Sequence, residues 1–287
     1  PITAGPRAVL RQRRDAPHHH EPGRAVYDAE RYRLHIGDVV VPTAWTFPVS
    51  HIQFDPVAGQ IASLPDAPNI IWCFWMGDNP LTPNRVKSLD SIRRMNPNSE
   101  VILVSMSNLD RILVEGYALH PTFEHLSAIH KSDYLRSYVM LHHGGAYCDI
   151  KKWTAPWAPI IRALNSEKSA WVAGPEEISP SNVSAPTGRL GREMRANYSN
   201  IPCQAAFAFR PGSPFAEEWS AEVGRRMDYF SGLLEKYPAR DPFGHEGNYP
   251  VPWNALHGSI FSPLCMKYFD RVIVRPEMEI DYSGGYR

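Results

Sequence analysis

The spacing of apolar and polar positions changes at Asn69. Before it, Tyr32, Leu34, Ile36, Val39–Val41, Ile52 and Phe54 alternate with polar residues, and Pro42, Pro48, Pro56 and Pro65 interrupt them. Alternation broken by proline predicts short strands and turns, so residues 26–68 are expected to form an N-terminal β-rich appendage. Residues 1–25 are rich in Pro, Arg and His and lack an apolar period, which predicts a mobile arm. Its run His18-His19-His20 is best taken as a solvated tail, because consecutive positions on a flexible arm do not converge on one ion.

From residue 69 to 287 a different grammar predicts one larger domain. Ile70–Met76 is a continuous apolar run, long enough for a buried strand and too short for a helix. Gly77-Asp78-Asn79-Pro80 breaks it, and Thr82 caps a helix with Pro83 in its first turn, running to about Met95. Val101–Val104 is a second strand and Leu109–Val114 a short helix. A helical period runs from Thr122 to His143, and Gly144-Gly145 stops it. Ala146–Ile150, Ala170–Gly174, Ala205–Phe209 and Val272–Val274 are further strands, Ser213–Phe230 is an amphipathic helix, and Ser283–Tyr286 is loop or tail. Alternating strands and helices imply an α/β domain, a mostly parallel sheet covered by helices. Ligands bind such sheets beyond the carboxyl ends of the strands. That nominates two loops, Gly77–Pro80 and Asp149–Lys152.

The most informative segment is Ser132-Asp133-Tyr134-Leu135-Arg136 followed by Gly144-Gly145-Ala146-Tyr147-Cys148-Asp149-Ile150-Lys151. Asp133 and Arg136 are three apart and share a helix face. Taken alone they could be a surface ion pair of a few tenths of a kcal/mol. Asp149 and Lys151 are two apart at a strand end and point to the same side.

In the order apolar strand, SDxxR on a helix, then GGxYxD at a strand end, the chain resembles the DXD-containing sugar transferases of glycosyltransferase family 32. It is also similar to the catalytic domains of large glucosylating toxins. The resemblance spans roughly residues 69–276, with weaker echoes in Phe207–Phe215 and in Tyr249-Pro250-Val251-Pro252-Trp253. It implies a GT-A fold, a Rossmann-like sheet flanked by helices. It also implies a nucleotide diphosphate sugar donor, a UDP-sugar before others, and retention at the anomeric carbon. The implied donor contacts are Trp75, Asp133, Arg136, Gly145, Asp149, Gln204 and Trp253. Asp149 takes the place of the first Asp of DXD, which in the family touches ribose and sugar while the second Asp binds a divalent metal; with Asp149 the motif's one remaining carboxylate, it is the candidate metal ligand. Asp149, Arg136 and Lys151 form the implied catalytic set. Glu177 (with Glu176 before it), His245 and Glu246 are candidates for contact with the acceptor, and ordinary loop positions otherwise.

One departure changes the chemistry. Where the second Asp of the motif would stand, the chain has Lys151, with Lys152 beside it. Mn²⁺ and Mg²⁺ demand oxygen ligands, whereas a Lys ammonium meets phosphate as a point charge. Three alternatives stay open: Lys151 replaces part of the metal's role, Asp149 and other oxygens hold a metal, or catalysis is lost. Trp72, Trp75, Trp153, Trp157, Trp171 and Trp253 are sugar platforms or core, with only Trp75 and Trp253 placed at the pocket.

Composition narrows the classes. Thirty Lys and Arg balance thirty Asp and Glu, without the basic excess of a nucleic-acid binder or a polybasic membrane anchor. No apolar run approaches the ~18 residues of a membrane span, and Pro1–Arg14 lacks the apolar stretch of a signal peptide. Association with a membrane surface stays open. Cys73, Cys148, Cys203 and Cys265 form no CxxC pair, and apolar neighbours make Cys73, Cys148 and Cys265 buried thiols of a reducing compartment, by default the cytoplasm. No GxGxxG follows a predicted strand, which disfavours a dinucleotide enzyme. The expectation is a cytoplasmic hexosyltransferase, for example of polysaccharide biosynthesis. It would act on a hydroxyl of a glycan, lipid-linked glycan, protein or small metabolite. The alternative is a non-catalytic GT-A module that binds nucleotide sugar or glycan as an assembly partner.

Overall fold

The computed structural model describes residues 63–153, 155–185 and 189–278, with the backbone of 40–41, 45–46 and 280–281. Strands β1 (Val40–Val41) and β2 (Trp45–Thr46) pair antiparallel. The expected arm at 1–25, the rest of residues 26–62 and the tail at 283–286 lie outside the described residues.

Strand β3 (Ile70–Trp75), helix α1 (Pro83–Met95) and strand β4 (Glu100–Ser105) follow in turn. The Thr82 hydroxyl accepts from the Arg85 N–H, with Pro83 in the first turn as the sequence predicts. Such a cap contributes about 1 kcal/mol. Helix α2 (Ala128–His142) leads into β5 (Gly145–Cys148) and the short β6 (Lys152–Trp153). Then come α3 (Ala158–Ser166), β7 (Val172–Pro175), α4 (Arg189–Ala196), β8 (Ala206–Phe209), α5 (Pro214–Lys236), α6 (Gly258–Lys267), β9 (Val272–Arg275) and β10 (Ile280–Asp281).

The central sheet has the order β4-β3-β5-β8-β7-β9. All neighbours run parallel except the two pairs of β8, which is the single reversed strand. The alternation along each strand sorts side chains by size. Trp72, Phe74, Tyr147, Phe207 and Phe209 face one layer, built from α2, α5 and α6. Ile71, Cys73, Ala146, Cys148, Ala206 and Ala208 face the other, built from α1 and α3. The period of two therefore sends Tyr147 toward α2 and Cys148 away from it. All four cysteines are buried free thiols.

Several elements differ from expectation. Helix α2 starts at Ala128 rather than Thr122, because the Ser127 hydroxyl caps it. Phe123–His125 forms a separate 3₁₀ turn. Buried Phe123 and Leu126 continue the apolar period without continuing the helix. Leu109–Val114 is replaced by a 3₁₀ segment, Met106–Ile112, shaped by Asn108, whose side chain bonds Ser105 N and Leu103 O. Strand β5 ends at Cys148, two residues early, since Lys151 N–H turns back onto Asp149 O at 2.7 Å. Helix α5 runs six residues past Phe230. Helices α3, α4 and α6 were not expected. Two of them are short, and α6 hides behind Gly258 at its start and Pro263 inside it, both unfavourable in helices.

Residues 64–67 pack onto the domain through Arg210, which is 1% exposed. Its guanidinium donates to Ala170 O, Leu164 O, Asn165 O and the Asp66 carboxylate. No helix among the described residues is long and apolar enough to cross a membrane.

Candidate functional site

Strand parity brings the site together. Asp149 follows β5 by one residue, its N–H donating to Ala205 O at 2.8 Å. It inherits the α2-facing side from Tyr147, two residues before it. Helix α2 presents Asp133 and Arg136 one turn apart on its sheet-facing side. The Arg136 guanidinium joins the two carboxylates: Nη1 lies 3.2 Å from Asp133 Oδ1 and Nη2 3.4 Å from Asp149 Oδ1. It sits over the Tyr147 ring at 4.4 Å. The Tyr147 hydroxyl donates to Asp149 Oδ1 at 2.6 Å, and Lys151 Nζ lies 2.8 Å from Asp149 Oδ2. Lys151 is itself buried, at 7% exposure.

Charge follows from these contacts. Burial works against ionisation of Asp149, but Lys151 and Arg136 outweigh it and hold the carboxyl well below the usual carboxylate range. Asp133 goes the other way. Burial pushes it up to about 6, against the pull of Arg136 and with a smaller push from Asp149. A raised carboxyl pKa means that its stabilising contribution is present below the unfolded value near 3.9 and is lost as pH rises through about 6. At neutral pH Asp133 is ionised beside Arg136 and can accept from a sugar hydroxyl. Donor affinity is therefore expected to fall as pH drops through about 6, measured by calorimetric titration with a nucleotide sugar. A flat profile across that range would take Asp133 out of the binding chemistry.

The sequence-predicted residues divide into three groups. Asp133, Arg136, Asp149 and Lys151 meet directly. Gln204 borders them: its backbone carbonyl accepts from Arg136 Nη1 at 3.5 Å, and its side-chain nitrogen reaches Ser262 Oγ at 3.4 Å. Glu177, just past β7, is also drawn in. It is 3% exposed, and burial raises its pKa while Lys151's charge lowers it. Trp75 ends β3 on the same sheet edge, its Nε1 donating to Asn79 O at 2.7 Å.

Others lie apart. Gly145 opens β5, four residues or about 13 Å of strand from Asp149. Its φ of 91° and the Ile70 carbonyl 2.9 Å from where a Cβ would stand explain the glycine without a ligand. Trp253 is 51% exposed, and His245 and Glu246 occupy the same exposed loop. Trp72, Trp153, Trp157 and Trp171 are core.

Three contributors were missed. Tyr147 was detectable as the i−2 neighbour of Asp149. Arg85 of α1 donates to Ile150 O at 2.5 Å and holds the turn after Asp149. His257 receives Arg136 Nη1 on Nδ1 at 2.8 Å. Arginine only donates, so that nitrogen is unprotonated. Burial and then Arg136 keep the imidazole pKa well below its ordinary value. The ring stacks on Trp219 at 5.3 Å. A lone histidine before Gly258 gives no sequence signal for this.

The donor set does not fit a divalent cation. Asp149 Oδ1 is shared by Tyr147 and Arg136, Oδ2 is held by Lys151, and the next residue of matching parity is a cation. No group of three His, Cys, Asp or Glu side chains gathers for a metal among the described residues. The expectation that Asp149 ligates Mn²⁺ or Mg²⁺ thus meets an ammonium where the second carboxylate was needed.

Arg136→Lys is expected to lower turnover by about a hundredfold, because one ammonium cannot bridge two carboxylates as the planar fork does. Steady-state kinetics with wild-type rates would remove Arg136 from the site.

Residues 83–154, from α1 through β6, match the family described as "Glycosyltransferase sugar-binding region containing DXD motif". Asp133, Arg136, Asp149 and Lys151 all fall inside the match. A comparison with curated proteins gives no match. Among solved structures, one described as "PaToxG Glycosyltransferase" is similar over 71% of this chain and 72% of its own, with 12% identity and a TM-score of 0.39. The family match supports glycosyl transfer as the general activity.

Proposed function

We propose that the chain is a retaining glycosyltransferase that moves a hexose from a nucleotide diphosphate sugar, a UDP-sugar before others, to an acceptor hydroxyl. The observation that carries the reading is the placement of Asp149 at the carboxyl end of β5, between Arg136 and Lys151. Asp133 and Arg136 are the groups to hold sugar hydroxyls. Lys151 and Arg136 are the cations to meet the charge that develops on the leaving diphosphate. In this reading the protein positions the donor and stabilises that charge, and the departing phosphate helps to deprotonate the acceptor. No step depends on a metal.

A second reading has a specific observation behind it. Both Asp149 oxygens are engaged by protein groups, as in a module that binds a nucleotide sugar without turning it over. Incubation with UDP- and GDP-sugars, followed by mass analysis of donor and products, separates the two. Turnover that disappears in Asp149→Ala supports the enzyme. Stabilisation by a nucleotide sugar without product, whatever the acceptor, supports the module and rejects the transferase.

A further inference from the structure

The loop after α5 presents an exposed row of parallel aromatic rings. Phe243 and His245 have ring centroids 5.7 Å apart at 16°, and His245 and Trp253 are 6.0 Å apart at 25°. Carbon atoms in direct contact lie about 3.5–4.0 Å apart, so near-parallel rings at these distances are offset, not eclipsed. Phe243 is 41% exposed and Trp253 51%. Contiguous exposed aromatic surface of this kind marks a binding patch more often than isolated apolar residues do.

The loop is built to hold that row. The Asp241 carboxylate accepts from the N–H groups of Phe243 at 2.7 Å, His245 at 2.8 Å and Glu246 at 2.7 Å. Gly244 has φ 73°, and a Cβ there would strike the Tyr249 ring. Tyr249 is buried, and its hydroxyl meets Ser127 N–H at 3.2 Å and His130 Nδ1 at 2.9 Å. Ile129 N–H donates to Pro242 O, and His130 Nε2 lies 3.1 Å from Pro252 O. The loop is therefore clamped to the first turn of α2. Asp133 and Arg136 lie one and two turns further along the same helix.

We infer that Phe243, His245 and Trp253 form a platform for a saccharide acceptor. The inference rests on the transferase reading, which requires a hydroxyl-bearing acceptor close to the donor. The surroundings favour a sugar over an apolar peptide. The C–H face of a pyranose is flat and apolar, while its rim carries hydroxyls. In the same segment of chain, Arg240, Glu246 and Asn248 line a small depression and supply a guanidinium, a carboxylate and an amide as hydroxyl partners. The clamp ties this surface to the same helix that carries Asp133 and Arg136.

The test is saturation-transfer NMR with three probes: tetrasaccharides of β-1,4-glucose, α-1,4-glucose and β-1,4-N-acetylglucosamine. Wild-type protein is expected to saturate the ring C–H protons of at least one of them. Phe243→Ala is expected to weaken that saccharide on the order of tenfold. Phe243→Tyr keeps the flat face and is expected to restore it. Asp241→Ala, which keeps all three aromatic side chains but removes the carboxylate that fixes their loop, is expected to match Phe243→Ala. Equal affinity in wild type and Phe243→Ala, or no binding of any probe by wild type, overturns the platform. Melting shifts with UDP- and GDP-sugars are followed in parallel. Their absence counts against the transferase reading alone, since the saccharide signal is scored independently.

Discussion

Asp149→Asn is expected to abolish donor turnover and to lower the melting temperature by about 10 °C. The amide keeps the shape of the carboxylate and removes its charge. Arg136 retains Asp133 at 3.2 Å, but Lys151, at 7% exposure, loses its carboxylate partner. Removing one member of a buried ion pair costs about 3–5 kcal/mol, because the other charge stays desolvated. In a domain of this size each kcal/mol is worth roughly 2–4 °C. Differential scanning calorimetry reads the shift directly. The double variant Asp149→Asn, Lys151→Ala removes the ammonium as well and is expected to recover part of the loss. An unchanged melting curve in Asp149→Asn would mean that Asp149 and Lys151 are not paired in solution.

Lys151→Ala is expected to separate stability from chemistry. Asp149 keeps its contacts with Arg136 and Tyr147, so the fold retains most of its melting temperature. On the proposed reading, however, the leaving diphosphate loses a cation that balances its developing charge. A single lost contact of that kind costs about 3 kcal/mol, or about a hundredfold in rate. Turnover within a small factor of wild type would make Lys151 a structural counter-ion to Asp149 and nothing more. Lys151→Asp would restore the second carboxylate of the motif. It would also put two acids side by side against one arginine, so donor turnover is expected to stay low without added Mn²⁺.

Much of this was legible before the structure because it depends on strict periods. The two-residue period set Asp149 on the side of Tyr147, and the three-residue spacing set Asp133 and Arg136 on one helix face; Lys151 meets Asp149 instead through the turn that follows the strand. Those periods survive tertiary folding because they follow from backbone geometry. What escaped the sequence depends on distant segments meeting. His257 reaches Arg136 across 121 residues, and nothing local to Leu256-His257-Gly258 announces it. Helix α6 was missed for a different reason: Gly258 and Pro263 carry local signals against a helix, and burial of Ile260, Phe261, Leu264, Cys265 and Met266 overrides them. The apolar rhythm of Phe123 and Leu126 predicts a helix from Thr122, while the Ser127 cap decides where hydrogen bonding begins. Gly145 has a local reason beside the one its motif suggests: its positive φ and the close Ile70 carbonyl require glycine there whether or not a ligand approaches.

If protein cations at Arg136 and Lys151, and not a bound metal, meet the diphosphate of the donor, donor binding is independent of divalent ions. The most direct measurement is calorimetric titration of wild-type protein with the nucleotide sugar that stabilises it best, in EDTA and again with Mn²⁺ or Mg²⁺. The same affinity is expected in all three conditions, with weaker binding in Lys151→Ala in each of them. Binding that vanishes in EDTA, returns with the metal and ignores the Lys151 substitution would contradict that expectation.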